Sequence, residues 1–134
     1  MICGVTRSGA IPAAARASVR YLKRSNAERE AHQRQAARTK AALEAAGLPV
    51  LHTDTHIVPV MVGDAELCKA AADHLLEHHG IYIQPINYPT VPKGTERLRF
   101  TPSPVHGPDE MDHLIRAMDE LWSHCALNRA EMSA

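Results

Sequence analysis

Apolar residues recur along this chain in two different periods, and the change from one to the other marks its elements. Met111, Leu114, Ile115, Met118, Leu121 and Trp122 form the i, i+3, i+4, i+7 stripe of an amphipathic helix that starts near Pro108. Leu67, Ala71 and Leu75 fall four residues apart and predict a helix over Ala65 to His79, with Gly63-Asp64 turning into it and Gly80 ending it. Ile57 to Val62 is a β-branched apolar run and reads as a strand; Pro59 removes one ladder donor, which places it at an edge or makes it irregular. Ile81 to Ile86 and Glu96 to Thr101 read as two further strands, separated by the loop Asn87 to Thr95. Upstream, Ile11 to Arg24 reads as a helix with Pro12 in its first turn. Ser25-Asn26-Ala27-Glu28 has the capping-box pattern and opens a second helix, about Asn26 to Ala46, which Gly47 and Pro49 stop. Leu43 is its one large apolar residue among many alanines, so it suits a connector or a surface that takes a partner. The order α-α-β-α-β-β-α predicts an α+β fold, a small, mostly antiparallel sheet of about three strands packed with helices. The expected segments are a divergent or frayed stretch 1–12, connecting Ala-rich helices 13–47, an α+β domain 48–125 and a tail 126–134.

Composition narrows the function classes. The 134 residues allow one domain. Fifteen Lys+Arg balance fifteen Asp+Glu, which argues against a basic nucleic-acid face. Aromatics at 4% are too few for a base-stacking platform. No apolar run approaches the roughly 18 residues of a membrane span, and the first residues lack a signal-peptide pattern, so neither membrane insertion nor secretion is expected. Cys3, Cys68 and Cys125 are odd in number and far apart. They exclude a disulfide framework and suit a reducing, cytoplasmic location. Nine histidines make the net charge sensitive to pH near neutrality.

Two histidine patterns bear on metal chemistry. His74-Leu75-Leu76-Glu77-His78 matches H-x-x-E-H, which puts two imidazoles on one helix face beside a carboxylate. No third ligand can be nominated, and His79 with Gly80 suggests instead imidazoles gathered at a helix C-terminus, where the dipole favours cations; no metal site is therefore expected. His52 and His56 lie in a loop, where their spacing does not bring the rings together. The phosphate-loop, dinucleotide and serine-hydrolase signatures are all missing.

The informative stretch is Ile83 to His106, IQPINYPTVPKGTERLRFTPSPVH. Pro85, Pro89, Pro92, Pro102 and Pro104 stiffen two loops around a strand in which Arg97, Arg99 and Thr101 share one face and Leu98 and Phe100 the other. An arginine held in such a pocket is a pre-organised carboxylate clamp. Two arginines on one face also fit a solvated edge with one surface ion pair.

This stretch closely resembles the C-terminal signature of the 5-aminolevulinate synthase family, a branch of the pyridoxal-phosphate-dependent α-oxoamine synthases. SNAERE, HIVPVMVGD, LCK and HGIYIQPINYPTVP match the same family in the same order, from about Ala13 to Trp122. Asn87-Tyr88-Pro89-Thr90-Val91-Pro92 points to aminolevulinate formation in particular, and the bacterial form looks closest. The resemblance implies the C-terminal small domain of a fold-type I, aminotransferase-like enzyme. It further implies a homodimer that condenses glycine with succinyl-CoA, releasing CoA and carbon dioxide, in tetrapyrrole (heme) biosynthesis. It places the arginine that binds the glycine carboxylate at Arg99 and the threonine near the succinyl carboxylate at Thr90. Arg97 inherits no role.

The departures define a second expectation. The family requires a Schiff-base lysine, an aspartate on the pyridinium nitrogen and a stacking histidine. This chain has only Lys23, Lys40, Lys69 and Lys93, none in the family's cofactor-lysine context, and GVTRSGAIP stands where the family has a Thr/Ser–Pro-Pro stretch. The chain is thus expected to bind no pyridoxal phosphate by itself and to be inactive alone, supplying Arg99 and Thr90 to a site completed elsewhere. The alternative is a stand-alone carboxylate-binding or regulatory α+β module without catalysis.

Overall fold

The computed structural model describes residues 9–125. The expectations for 1–8 and for the 126–134 tail lie outside the described residues. Four helices and three strands follow one another as α1 (Ala10–Leu22), α2 (Ala27–Ala45), β1 (Val58–Met61), α3 (Ala65–His79), β2 (Gln84–Ile86), β3 (Arg97–Phe100) and α4 (Pro108–His124). The chain divides into two compact units, the first ending at Glu30 and the second beginning at Ala31.

In the first unit, α1 buries none of its residues. The turn after it is braced by Arg29, whose Nη2 donates to the Leu22 carbonyl at 2.6 Å and whose Nη1 donates to the Ser25 carbonyl at 3.3 Å. The capping box forms differently from the sequence expectation. The helix begins at Ala27, one residue later, and the Ser25 hydroxyl donates to the Glu28 carboxylate at 2.8 Å instead of accepting from a helix amide. Tyr21 donates to the same carboxylate, and these hydroxyls hold Glu28 below the usual carboxylate range.

The second unit is built on the sheet, antiparallel throughout with the order β1-β3-β2. Pro59 is tolerated because β1 lies on the outer side of β3, and the free flank of β1 is finished by the segment just after α2. Leu51 donates to the Pro59 carbonyl, and Met61 donates to the Pro49 carbonyl, both at 2.9 Å. β2 is shorter than the apolar run Ile81 to Ile86 suggests. The Ile81 amide is used instead to close α3, donating to the Leu75 carbonyl at 3.0 Å around Gly80, whose φ of 66° is the left-handed conformation glycine adopts without strain. At the other end of α3 the Asp64 carboxylate accepts from the Glu66 and Leu67 amides, each at 2.9 Å. α4 starts with Pro108, and the Glu110 carboxylate accepts from the Gly107 amide at 2.9 Å.

Val58, Val60, Leu98 and Phe100 point from one sheet face into the core. They meet Leu75 and Cys68 of α3 and Met118, Leu121 and Trp122 of α4. Leu43 is fully buried in the same core, where the sequence suggests a connector that buries little, and α2 also buries the polar Gln35 and Thr39. The Thr39 hydroxyl is satisfied by donating to the Gln35 carbonyl at 2.9 Å, with the Met111 sulfur at 3.6 Å. No described helix is long and apolar enough to cross a membrane.

Candidate functional site

Strand β3 sorts its side chains by alternation. Leu98 and Phe100 are buried in the core, and Arg97 and Arg99, both half-buried, turn to the opposite face. The register sets Pro59 and Gln84 on either side of Arg99, and Met61 and Ile86 on either side of Arg97. Arg99 donates from Nη2 to the Oε1 of Gln84. Its Nε is buried and has no hydrogen-bond partner, and among the described residues no carboxylate pairs with it. A guanidinium carries a permanent charge, so this arrangement leaves a fixed cation with one buried donor unpaired. A carboxylate docking side-on, toward Nε, is the ligand that matches it.

Arg97 differs. Its Nε donates to the Thr95 carbonyl at 2.9 Å and braces the loop entering β3. Thr90 is exposed in the turn after β2, where its amide donates to the Asn87 carbonyl at 2.9 Å, and no hydrogen bond joins Thr90 to Arg99 among the described residues. The loop around Thr90 is pinned at several points. Asn87 Nδ2 donates to the Ala65 carbonyl at 3.2 Å, the Thr95 hydroxyl donates to the Pro92 carbonyl at 2.7 Å, and Lys93 sits 5.4 Å from the centre of the Tyr88 ring. The Tyr88-Pro89 peptide is cis.

Two residues that sequence reasoning passed over take part. Gln84 engages Arg99, and the signal for it was its polar place in the apolar run Ile81 to Ile86, on the same strand face as Ile86. Glu96 is buried at 3% exposure and accepts from the Gly94 amide at 2.8 Å, closing the loop just before β3. Nothing local in the sequence distinguishes it from a surface glutamate.

Each of the four lysines has a contact within the fold. Lys40 donates to the Thr55 carbonyl at 2.7 Å and to both the carbonyl and hydroxyl of Thr53; Lys69 pairs with Asp73 one turn on; Lys93 lies over Tyr88. Lys23 caps the C-terminal end of α1. His52 faces Glu44 at 3.6 Å, and the His56 ring meets the His32 ring in a tilted contact at 4.6 Å between centres. In the H-x-x-E-H stretch the His74 and His78 rings do meet, at 4.4 Å, while Glu77 is exposed. Burial and the neighbouring His78, His124 and His79 hold the His74 imidazole below its ordinary range. A cavity of about 430 Å³, bordered by Thr39, Tyr82, Phe100, His106 and Met111, is lined by neither Arg99 nor Thr90.

Comparison with known proteins gives a consistent picture. The family model described as aminotransferase class I and II matches residues 3–118. The 5-aminolevulinate synthase 1 of Cereibacter sphaeroides is 60% identical over 124 residues, which is 92% of this chain and 30% of that protein. The 5-aminolevulinate synthase of Bradyrhizobium diazoefficiens is 60% identical over 118 residues, 88% of this chain and 29% of that one. The mitochondrial 5-aminolevulinate synthase of Schizosaccharomyces pombe is 50% identical over 85% of this chain and 21% of its own length. The chain therefore spans roughly a third or less of the curated relatives it matches. Among solved structures, serine palmitoyltransferase from S. paucimobilis with a bound PLP–myriocin aldimine superposes with a TM-score of 0.63 at 25% identity, covering 74% of this chain and 25% of that one. A low-resolution structure of SPT superposes at 0.71 with 26% identity, covering 82% of this chain and 31% of that one.

Proposed function

We propose, for a chain that belongs to the aminotransferase class I and II family, that it is the C-terminal portion of a 5-aminolevulinate synthase, which joins glycine to succinyl-CoA with release of CoA and carbon dioxide. The observation that carries this reading is the Arg99 guanidinium, half-buried, engaged by Gln84 on one nitrogen and without a hydrogen-bond partner at its buried Nε. A buried charge without a counter-ion is costly, and a substrate carboxylate relieves that cost while gaining two charge-assisted hydrogen bonds. Glycine presents such a group and little else to bind, so a rigid arginine supplies most of its orientation.

In this reading Arg99 holds the glycine carboxylate, and Gln84 fixes the plane of the guanidinium from the neighbouring strand. Thr90, exposed on a loop stiffened by Pro89 and Pro92, offers its hydroxyl to the succinyl carboxylate. Arg97 braces the loop through Thr95 and touches no substrate. Pyridoxal phosphate, which the family resemblance implies, would supply the electron sink for the carbon chemistry. The lysines described above do not fit the cofactor's covalent attachment, and no step through it is assigned to this chain. The 134 residues alone form no aminolevulinate. The working enzyme is a homodimer, as the family resemblance implies, and the scattered cysteines suit a reducing, cytoplasmic location.

The test is a transplant. Residues 13–122 replace the matching segment of the Cereibacter sphaeroides enzyme, and aminolevulinate formation is assayed beside the 134-residue chain supplied with pyridoxal phosphate, glycine and succinyl-CoA. The chimera turns over and the chain alone does not. A folded, cofactor-loaded chimera without activity, or turnover by the chain alone, contradicts the proposal.

A further inference from the structure

We propose that α3 and α4 together form a binding site for a divalent transition-metal ion of the zinc type, with His74, His79 and Glu120 as its protein ligands. One ligand atom from each of these three residues lies within 4.8 Å of the others. His79 Nε2 stands 3.7 Å from Glu120 Oε2. The Nε2 atoms of His74 and His79 are both buried and both lack a hydrogen-bond partner. Buried polar atoms are rarely left unpaired, and two imidazole nitrogens in this state beside a carboxylate call for a shared partner.

The ligand set decides which partner. Two imidazoles and one carboxylate suit zinc and its first-row neighbours, whereas magnesium and calcium take all-oxygen shells. Zinc bonds of about 2.0–2.2 Å in tetrahedral geometry place ligand atoms about 3.4 Å apart. The observed spacing of up to 4.8 Å needs an adjustment of up to about 1.4 Å, which small rotamer shifts of the three side chains can supply. Three protein ligands leave a coordination position for water.

The surroundings support a cation. His79 is the last residue of α3, where the carbonyl end of the helix dipole is negative. His113 of α4 bonds through Nε2 to the His79 carbonyl at 2.9 Å and holds the two helices in register at this point. The His124 ring stacks on His74 at 4.9 Å, and the His78 ring lies 4.4 Å from it, so an imidazole-rich patch surrounds the three ligands. The sequence pattern H-x-x-E-H points to His74, Glu77 and His78; the fold keeps His74 and exchanges the other two for His79 and Glu120. Because α3 and α4 cover the sheet face opposite Arg99, the metal acts as a clip between helices, away from the carboxylate clamp. This inference stands independently of the proposed synthase role.

The experiment uses the full 134-residue chain, cleared of metal by chelation and of any histidine tag, and titrates it with Zn²⁺ alone against a chromophoric chelator. Co²⁺ substitution then reports nitrogen and oxygen ligation in its visible spectrum. We expect one equivalent bound with a Kd of about 1 μM or tighter. Glu120→Gln and His79→Gln should each weaken binding about ten-fold or more, and Glu77→Gln and His78→Gln should change it by less than about three-fold. Glu120 is exposed, so its variant remains informative if a histidine variant loses its circular-dichroism signature. Absence of Zn²⁺ binding in the micromolar range overturns the proposal. So does binding that survives Glu120→Gln unchanged.

Discussion

Arg99 and Gln84 are cross-strand partners, Arg99 on the sheet face away from the core, and the Gln84 side-chain oxygen accepts from the Arg99 guanidinium while Arg99 Nε stays buried and unpartnered. The neutral amide orients the cation without neutralising it. Exchanging Gln84 for alanine should raise the glycine KM of the chimera about 3- to 10-fold with kcat within about two-fold, the worth of one ordinary hydrogen bond. Gln84→Glu should weaken glycine more than alanine does, because an internal carboxylate competes for the same guanidinium. Equal KM values in all three proteins would show that Gln84 plays no part in the clamp.

Leu98, beside Arg99 on the same strand, faces the other way and is fully buried against the helices. Leu98→Ala should cost about 2–5 kcal/mol in urea unfolding, from lost burial and the cavity left behind. Arg97→Ala, which removes the single bond to Thr95, should cost about 1 kcal/mol. Similar losses for both would mean that the two faces of β3 are not energetically distinct.

Asp64 caps α3 by accepting from two amides. Asp64→Ala should cost about 1 kcal/mol and Asp64→Asn much less, since asparagine retains an oxygen acceptor. Chemical denaturation of the three proteins checks the order.

Burial pushes the Cys68 thiol up to about 11, from an ordinary value near 9. A pKa raised on folding contributes stability that is intact below the unfolded value and lost as pH climbs through the folded one, so the loss falls between about pH 9 and pH 11. Cys68→Ala should flatten the decline of the thermal midpoint across that window. At pH 8 the folded wild-type protein should leave Cys68 unlabelled by iodoacetamide, and mass spectrometry of its peptide reports this directly.

Punctuation and periodicity explain why so much of the fold was legible in the chain. α3 runs over the predicted residues because Asp64 and Gly80 act locally, each satisfying amides or carbonyls of the adjacent turn. α4 is visible because its apolar stripe has one period from Met111 to Trp122. The limits of β2 were not visible, because the Ile81 amide is claimed by a helix carbonyl six residues back, while Ile83 still enters the core. The placement of Arg99 on the face away from the core follows from alternation alone, yet its pairing with Gln84 depends on strand register. The grouping of His74 and His79 with Glu120 joins positions more than forty residues apart, through the docking of α4 on α3. No local pattern carries such a contact.

The proposed role of Arg99 is to clamp the glycine carboxylate in a 5-aminolevulinate synthase. Steady-state kinetics of the chimera carrying Arg99→Ala, with glycine varied at saturating succinyl-CoA, test it most directly. The glycine KM should rise more than about 100-fold, with succinyl-CoA affinity held within about three-fold and the cofactor still bound. A glycine KM unchanged by the substitution would contradict it.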